Sequence, residues 1–282
     1  MSARFYSLVL GLFLIWATVG LFVVAFNRET PFGAWADLIF MILAALIVFL
    51  SWARYYGFSI TWKSFLWVAI WSGSIEAIGA TTGFPFGTYD YTGNFGPLVG
   101  GVVPLAIPLA WWVIVGTLFL VVDYALFRLS TILTFNAVTL LMLVPIGAVA
   151  VDFTLEPVAT LVRGYWHWED GVFYYGVPFS NFVGWFMTAW VASGGLFLLT
   201  LRKGPRQTMA PVSVTPPVAV LFSVVLLFWA SSLIQLQILA ILVGFGNLVW
   251  LGLVFTLVMR SEGRRLRAFR HRLSSYERKV WL

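Results

Sequence analysis

Eight stretches of this chain, at about 6–26, 35–53, 64–82, 103–122, 131–151, 181–201, 214–233 and 236–258, are each apolar over a length that crosses a bilayer. About 20 helical residues span a hydrocarbon core of ~30 Å. Backbone polar groups in lipid must be satisfied within the chain, so each run is predicted as a transmembrane helix. The fold class that follows is all-α: a polytopic membrane helical bundle of about eight helices. Only a tight turn, Leu233–Gln237, separates the last two runs, so seven is the lower bound. Composition agrees, because 61% of the 282 residues are hydrophobic and 10% are charged, against about half and a quarter in soluble domains. The first run is too long for the apolar core of a signal peptide and reads as a retained span. Pro104, Pro216 and Pro217 fall near helix starts, where a missing N–H costs little, whereas Pro108 and Pro145 lie deeper and are expected to kink their helices. The transmembrane domain is placed at 1–259 and a basic tail at 260–282.

Charge sets the orientation. With eight spans, one side carries Arg4, Arg54, Lys63, Arg128, Arg202, Lys203, Arg206 and eight basic residues of the tail, which is fifteen of the seventeen lysines and arginines. Arg28 and Arg163 are left for the other side. Basic loops stay in the cytoplasm, so both termini are expected there, in a multi-pass protein of the cell membrane. In the tail, Leu266, Phe269, Leu273, Tyr276 and Val280 recur at helical spacing, with arginines around them. This pattern reads as an amphipathic helix on anionic membrane lipids rather than a nucleic-acid-binding segment. Glu29, Asp37, Glu76, Asp90, Asp152, Glu156, Glu169 and Asp170 then map to the outer half or outer face.

Among these acids Glu76 lies inside a span, where an ionisable side chain is costly and marks a functional interior. Asp152 and Glu156 are four apart, so on a helix both carboxylates leave one face. Close carboxylates repel, which favours a protonated acid beside an ionised base, the arrangement general acid–base chemistry uses. The bland alternative is a solvated helix end with Arg163 as counter-ion. Beyond it Tyr165, Trp166, Trp168, Tyr174, Tyr175 and Trp185 form either an interfacial aromatic belt or the wall of an apolar pocket that steadies a cation. "TGFPFGTYDYTGNFGP" (82–97) is far richer in Gly, Pro and aromatics than a connector requires. Its echo of "GFPFG" (83–87) in "GVPFS" (176–180) hints at two related four-helix halves.

Some chemistries are excluded. No cysteine is present and only His167 and His271 occur, so thiolate chemistry and a histidine-rich di-iron cage are ruled out. No GxxxxGK[ST] phosphate loop is present, and Lys63, Lys203 and Lys279 are expected at helix ends or in tails, away from where a retinal would need a lysine. Asp152 and Glu156 as DxxxE match one magnesium–diphosphate motif of membrane prenyltransferases, without the second acidic motif.

"EAIGATTGFPFGTYDYTGNFGPLVGGVVPLAIPLAWW" (76–112) and "DFTLEP" through "GYWHWEDGVFYYGVPFSNFVGW" (152–185) resemble the CruF-type integral-membrane carotenoid hydratases of bacteria and haloarchaea. The resemblance runs from the third helix to the start of the sixth. It implies addition of water across the terminal 1,2 double bond of an acyclic, lipid-dissolved carotenoid, without metal or organic cofactor, with other enzymes of carotenoid synthesis as candidate partners. Such a reaction needs a buried acid, a stabilised tertiary cation and a base. Glu76, Asp152, Glu156 and Asp90 are the candidate catalytic residues. The loop at 82–97 is expected to fold as a lid whose Tyr89 and Tyr91 line the cavity, with Asn181 orienting the water. The alternatives are an isoprenoid or lipid transporter that uses the acids for proton coupling, and a prenyltransferase-like protein.

Overall fold

The computed structural model describes residues 3–29, 32–129, 133–169, 171–201 and 213–280. Asp170, Arg202, Lys203 and Arg206, and the side chains on the predicted apolar face of the tail, lie outside the described residues. Eight helices are present among them: α1 (Ala3–Ala25), α2 (Trp35–Tyr55), α3 (Phe58–Thr82), α4 (Ala106–Leu129), α5 (Leu133–Leu161), α6 (Phe179–Thr200), α7 (Thr215–Ile234) and α8 (Ile238–Val280). Seven are long and apolar enough to cross a membrane, and α3 is the exception.

The shortfall in α3 has a physical cause. Its buried residues are Ile60, Thr61, Ser64, Val68, Ser72, Glu76 and Gly79, small or polar for the most part. Its exposed face carries Trp62, Ile70 and Ile78. The helix is inside-out, as a membrane helix is when close packing and interhelical hydrogen bonds hold it to its neighbours. Trp67 and Trp71 donate their indole N–H groups to the Ala192 and Thr188 carbonyls of α6, each at 3.0 Å. Helix α4 is central, packing on α2, α3, α5, α6 and α7. Trp52 of α2 donates to the Gly116 carbonyl and Trp112 of α4 to that of Ala45.

Two expectations need correction. Pro108 lies in the first turn of α4 rather than deep in it, where its missing N–H would have had no helical partner. Helix α5 does not end near residue 151; it runs through Pro145 and Pro157 to Leu161. Pro157 supplies no N–H to the carbonyl of Phe153, and the Tyr174 hydroxyl donates to that carbonyl instead, at 2.9 Å. From α8, Asn247 donates to the Ala150 carbonyl, and Gln237, just ahead of that helix, donates to that of Pro157. The extended α5 is thus braced at the level of Asp152 and Glu156.

The connections at this end are not plain loops. Strand β1 (Tyr89–Tyr91), from the α3–α4 connection, pairs antiparallel with β4 (Trp166–Trp168), from the α5–α6 connection. Between them in sequence, β2 (Leu98–Val99) and β3 (Val103–Pro104) form a small hairpin. The ribbon register sets Tyr89 opposite Trp168, Asp90 opposite His167 and Tyr91 opposite Trp166. Alternation along each strand sends the four aromatics to one face and Asp90 and His167 to the other. The segments 83–87 and 176–180 also meet. Ser180 donates to the Phe86 carbonyl at 2.8 Å, and a Cβ on Gly87, whose φ is +111°, would come within 2.8 Å of Pro178.

Candidate active site

Glu76 is on the buried stripe of α3, two turns from its end. Its Oε2 accepts the hydroxyls of Tyr89 (2.8 Å) and Tyr91 (2.7 Å), and its Oε1 accepts the Trp111 indole N–H of α4 at 2.9 Å. Glu156, on α5, is held in a parallel way. Trp166 and Trp168 donate to its Oε2 at 3.2 and 3.1 Å, and the Asn181 amide of α6 donates to its Oε1 at 3.1 Å. The same amide nitrogen reaches Asp152 Oδ2 at 2.8 Å, so one asparagine bridges both α5 carboxylates. Asp152 Oδ1 is buried with no hydrogen-bond partner among the described residues. None of these four side chains exceeds 5% exposure.

The ribbon supplies these donors by register. Its inward face presents two phenols to Glu76 and two indoles to Glu156, so a single antiparallel pair serves both carboxylates. Burial, and next the neighbouring Glu76, push the Tyr89 and Tyr91 phenols well above their ordinary range. They remain neutral donors at any physiological pH.

Both glutamates line one cavity of about 60 Å³, together with Asn181 and an aromatic wall that includes Phe86, Phe95, Trp111 and Trp185. Trp111 and Trp185 face one another with ring centroids 4.3 Å apart. An apolar, aromatic enclosure with two carboxylates on its wall suits protonation of an apolar substrate and stabilisation of the cation formed.

The structure sorts the predicted residues. Glu76, Glu156, Tyr89, Tyr91, Tyr165, Trp166, Trp168, Asn181 and Trp185 all line the cavity. Asp152 lies behind Asn181 and does not line it. Asp90 is exposed on the outer face of the ribbon, because it alternates with two inward tyrosines. Tyr174 caps the carbonyl freed by Pro157, and the Tyr175 hydroxyl accepts the Leu239 N–H in the first turn of α8. Both tyrosines are thus engaged with backbone away from the cavity. Arg163 is not the counter-ion of Glu156; it pairs with Asp37 at 3.8 Å. Sequence reasoning passes over Trp111 and Phe86. A buried indole N–H needs an acceptor, and that requirement in the first half of α4 is the available signal for Trp111. Among the described residues no group of three or more His, Cys, Asp and Glu side chains is placed to hold a metal ion.

The family model described as carotenoid biosynthesis protein matches residues 36–253 of this chain. A curated bisanhydrobacterioruberin hydratase from Haloarcula japonica is 32% identical over 125 residues, covering 44% of this chain and 41% of that protein. The chain therefore aligns with less than half the length of that relative. No solved structure gives a significant match.

Proposed function

This chain belongs to the carotenoid biosynthesis protein family, and on that premise we propose that it is a carotenoid hydratase. It adds water to the terminal 1,2 double bond of an acyclic carotenoid, in the outer half of the cell membrane. The observation that carries this reading is that Glu76 and Glu156 both line one small aromatic cavity. The name of the Haloarcula relative supports the reaction class.

In this mechanism the end group enters the cavity with its double bond between the two glutamates. Two carboxylates bridged by one amide repel each other unless they share a proton, so the Asp152–Asn181–Glu156 unit holds the acid. Glu156, the member that lines the cavity, gives the proton to carbon 2. Positive charge develops at the tertiary carbon 1, where the Trp111 and Trp185 faces and the ionised Glu76 stabilise it. Water adds to carbon 1 and loses its proton to Glu76, leaving a tertiary hydroxyl. Proton return from Glu76 to Glu156 resets the site. Asp152 is a positioning residue, because it acts through Asn181.

Expression in a host that accumulates lycopene, followed by mass analysis of the pigments, tests the reading. The expected result is pigment heavier by one or two waters, absent with Glu156→Gln. Unchanged pigment from correctly inserted protein overturns it. Movement of pigment across the membrane without added water would instead favour transport.

A further inference from the structure

A cavity of about 60 Å³ is small beside the roughly 150 Å³ that encloses a benzene-sized molecule. It has no room for a long chain. The rest of such a substrate needs a berth that joins the cavity, and one lies beside it. A second cavity of about 300 Å³ opens between α1, α2 and α7. Met41, Phe95, Tyr165 and Phe228 line both spaces, so these four side chains are the partition between them. The outer lip is apolar and exposed: Ile15, Val19 and Phe32 are 66%, 58% and 57% exposed. In a bilayer that lip faces lipid.

We infer that this groove is the berth of the substrate's polyene chain, which enters sideways from the membrane and threads its end group past the partition to the carboxylates. The inference rests on the hydratase reading for the chemistry of the end group, but the groove is argued from geometry alone. Its ionisable lining residues are Asp37 and Tyr165. Asp37 is engaged by Arg163, whose Nε also donates to the Tyr165 hydroxyl at 3.4 Å. Arg163 Nη1 reaches the Arg28 carbonyl at 3.3 Å in the α1–α2 connection. This polar clasp fixes the outer edge of the partition and leaves the remaining wall apolar, as a polyene requires.

Gly20 of α1 provides the test. A Cβ there would meet only Leu227 at 3.7 Å, so Gly20→Leu puts its remaining carbons into the groove. Gly11, on the same helix and outside the groove, would carry a Cβ with nothing within 4 Å of it, and Gly11→Leu is the control. Two readouts are taken on purified protein: the visible circular dichroism induced in an achiral acyclic polyene on binding, and the turnover ratio between that polyene and a short acyclic isoprenoid with the same terminal double bond. Gly20→Leu should abolish the induced signal and lower the long-to-short ratio by roughly tenfold or more, the scale of a steric change in an apolar pocket. Gly11→Leu should change neither. If Gly20→Leu does not insert, Val19→Trp carries the same readouts from a side chain already at the lip. Unchanged polyene binding and an unchanged ratio overturn the inference, assign the groove to lipid, and leave the hydratase reading standing. Polyene binding that Gly20→Leu abolishes, in a protein that hydrates neither compound, upholds the groove and overturns the hydratase reading.

Discussion

Glu76 and Glu156 each accept three hydrogen bonds from uncharged donors, two at Oε2 and one at Oε1, so Gln keeps the shape and the two bonds at one oxygen, turns its NH2 toward the third donor, and removes the charge and the transferable proton. Glu76→Gln and Glu156→Gln are expected to lower turnover about 10²–10⁴-fold, the usual scale for a lost general acid or base. Asp152→Asn mimics the protonated acid and keeps an amide beside Asn181, so it should retain more activity than Glu156→Gln. Equal loss in both, measured as kcat on inserted protein, would make Asp152 the direct donor. The tyrosines give a second expectation. Burial raises the Tyr89 and Tyr91 phenols in the folded state, while the unfolded chain ionises near the ordinary value of about 10. Below that pH their contribution to stability is complete. As pH climbs above it, the unfolded state gives up protons that the folded state keeps, and stability falls. Thermal unfolding in detergent should show this alkaline loss, and the Tyr89→Phe/Tyr91→Phe double variant should show a shallower one.

At the scale of elements, the site depends on how closely α3 and α6 approach. The Phe86 ring lies between them: a Cβ on Gly184 would come within 2.5 Å of it, and one on Gly79 within 2.6 Å. Gly184→Ala gains about 1 kcal/mol of helix propensity and meets overpacking of about 1–3 kcal/mol. The expected outcome is an unfolding temperature unchanged to a few degrees lower with a clear fall in kcat/KM, because the displaced Phe86 moves into the cavity. Unaltered kinetics would mean the ring has room elsewhere. These packing relations explain what is legible in the sequence. Helix number and the acids at one end follow from run length and charge, since lipid tolerates few other solutions. The ribbon does not, because strands of three residues pair across a separation that no local pattern encodes. Asp90 resembles a site residue by its neighbours' chemistry, and only the period-2 alternation of a strand turns it outward. Tyr174 and Tyr175 escape a sequence reading for a related reason: the demand that engages Tyr174 arises from Pro157, well upstream, in a helix expected to have ended.

For the whole molecule, the absence of cysteine makes topology directly measurable. Asp90→Cys creates the sole thiol at an exposed position, and our reading of the basic loops predicts that a membrane-impermeant thiol reagent labels it in intact cells while activity persists. Protection until the cells are opened would reverse the orientation. The inside-out stripe of α3 bears on how the protein is born. Every donor to Glu76 comes later in the chain, the last of them Trp111, 35 residues on. At synthesis rates of about 5–20 residues per second, that indole follows by on the order of 2–7 seconds. Over that interval the least apolar span holds a carboxylate with no partner from α4, and lipid offers none. Helix α3 is therefore expected to wait in the insertion machinery and leave it only as a hairpin with α4. Nascent chains halted before α4 should leave α3 extractable by alkali, whereas chains that include all of α4 should resist; on this account the order of synthesis, as much as the finished packing, puts Glu76 inside the bundle.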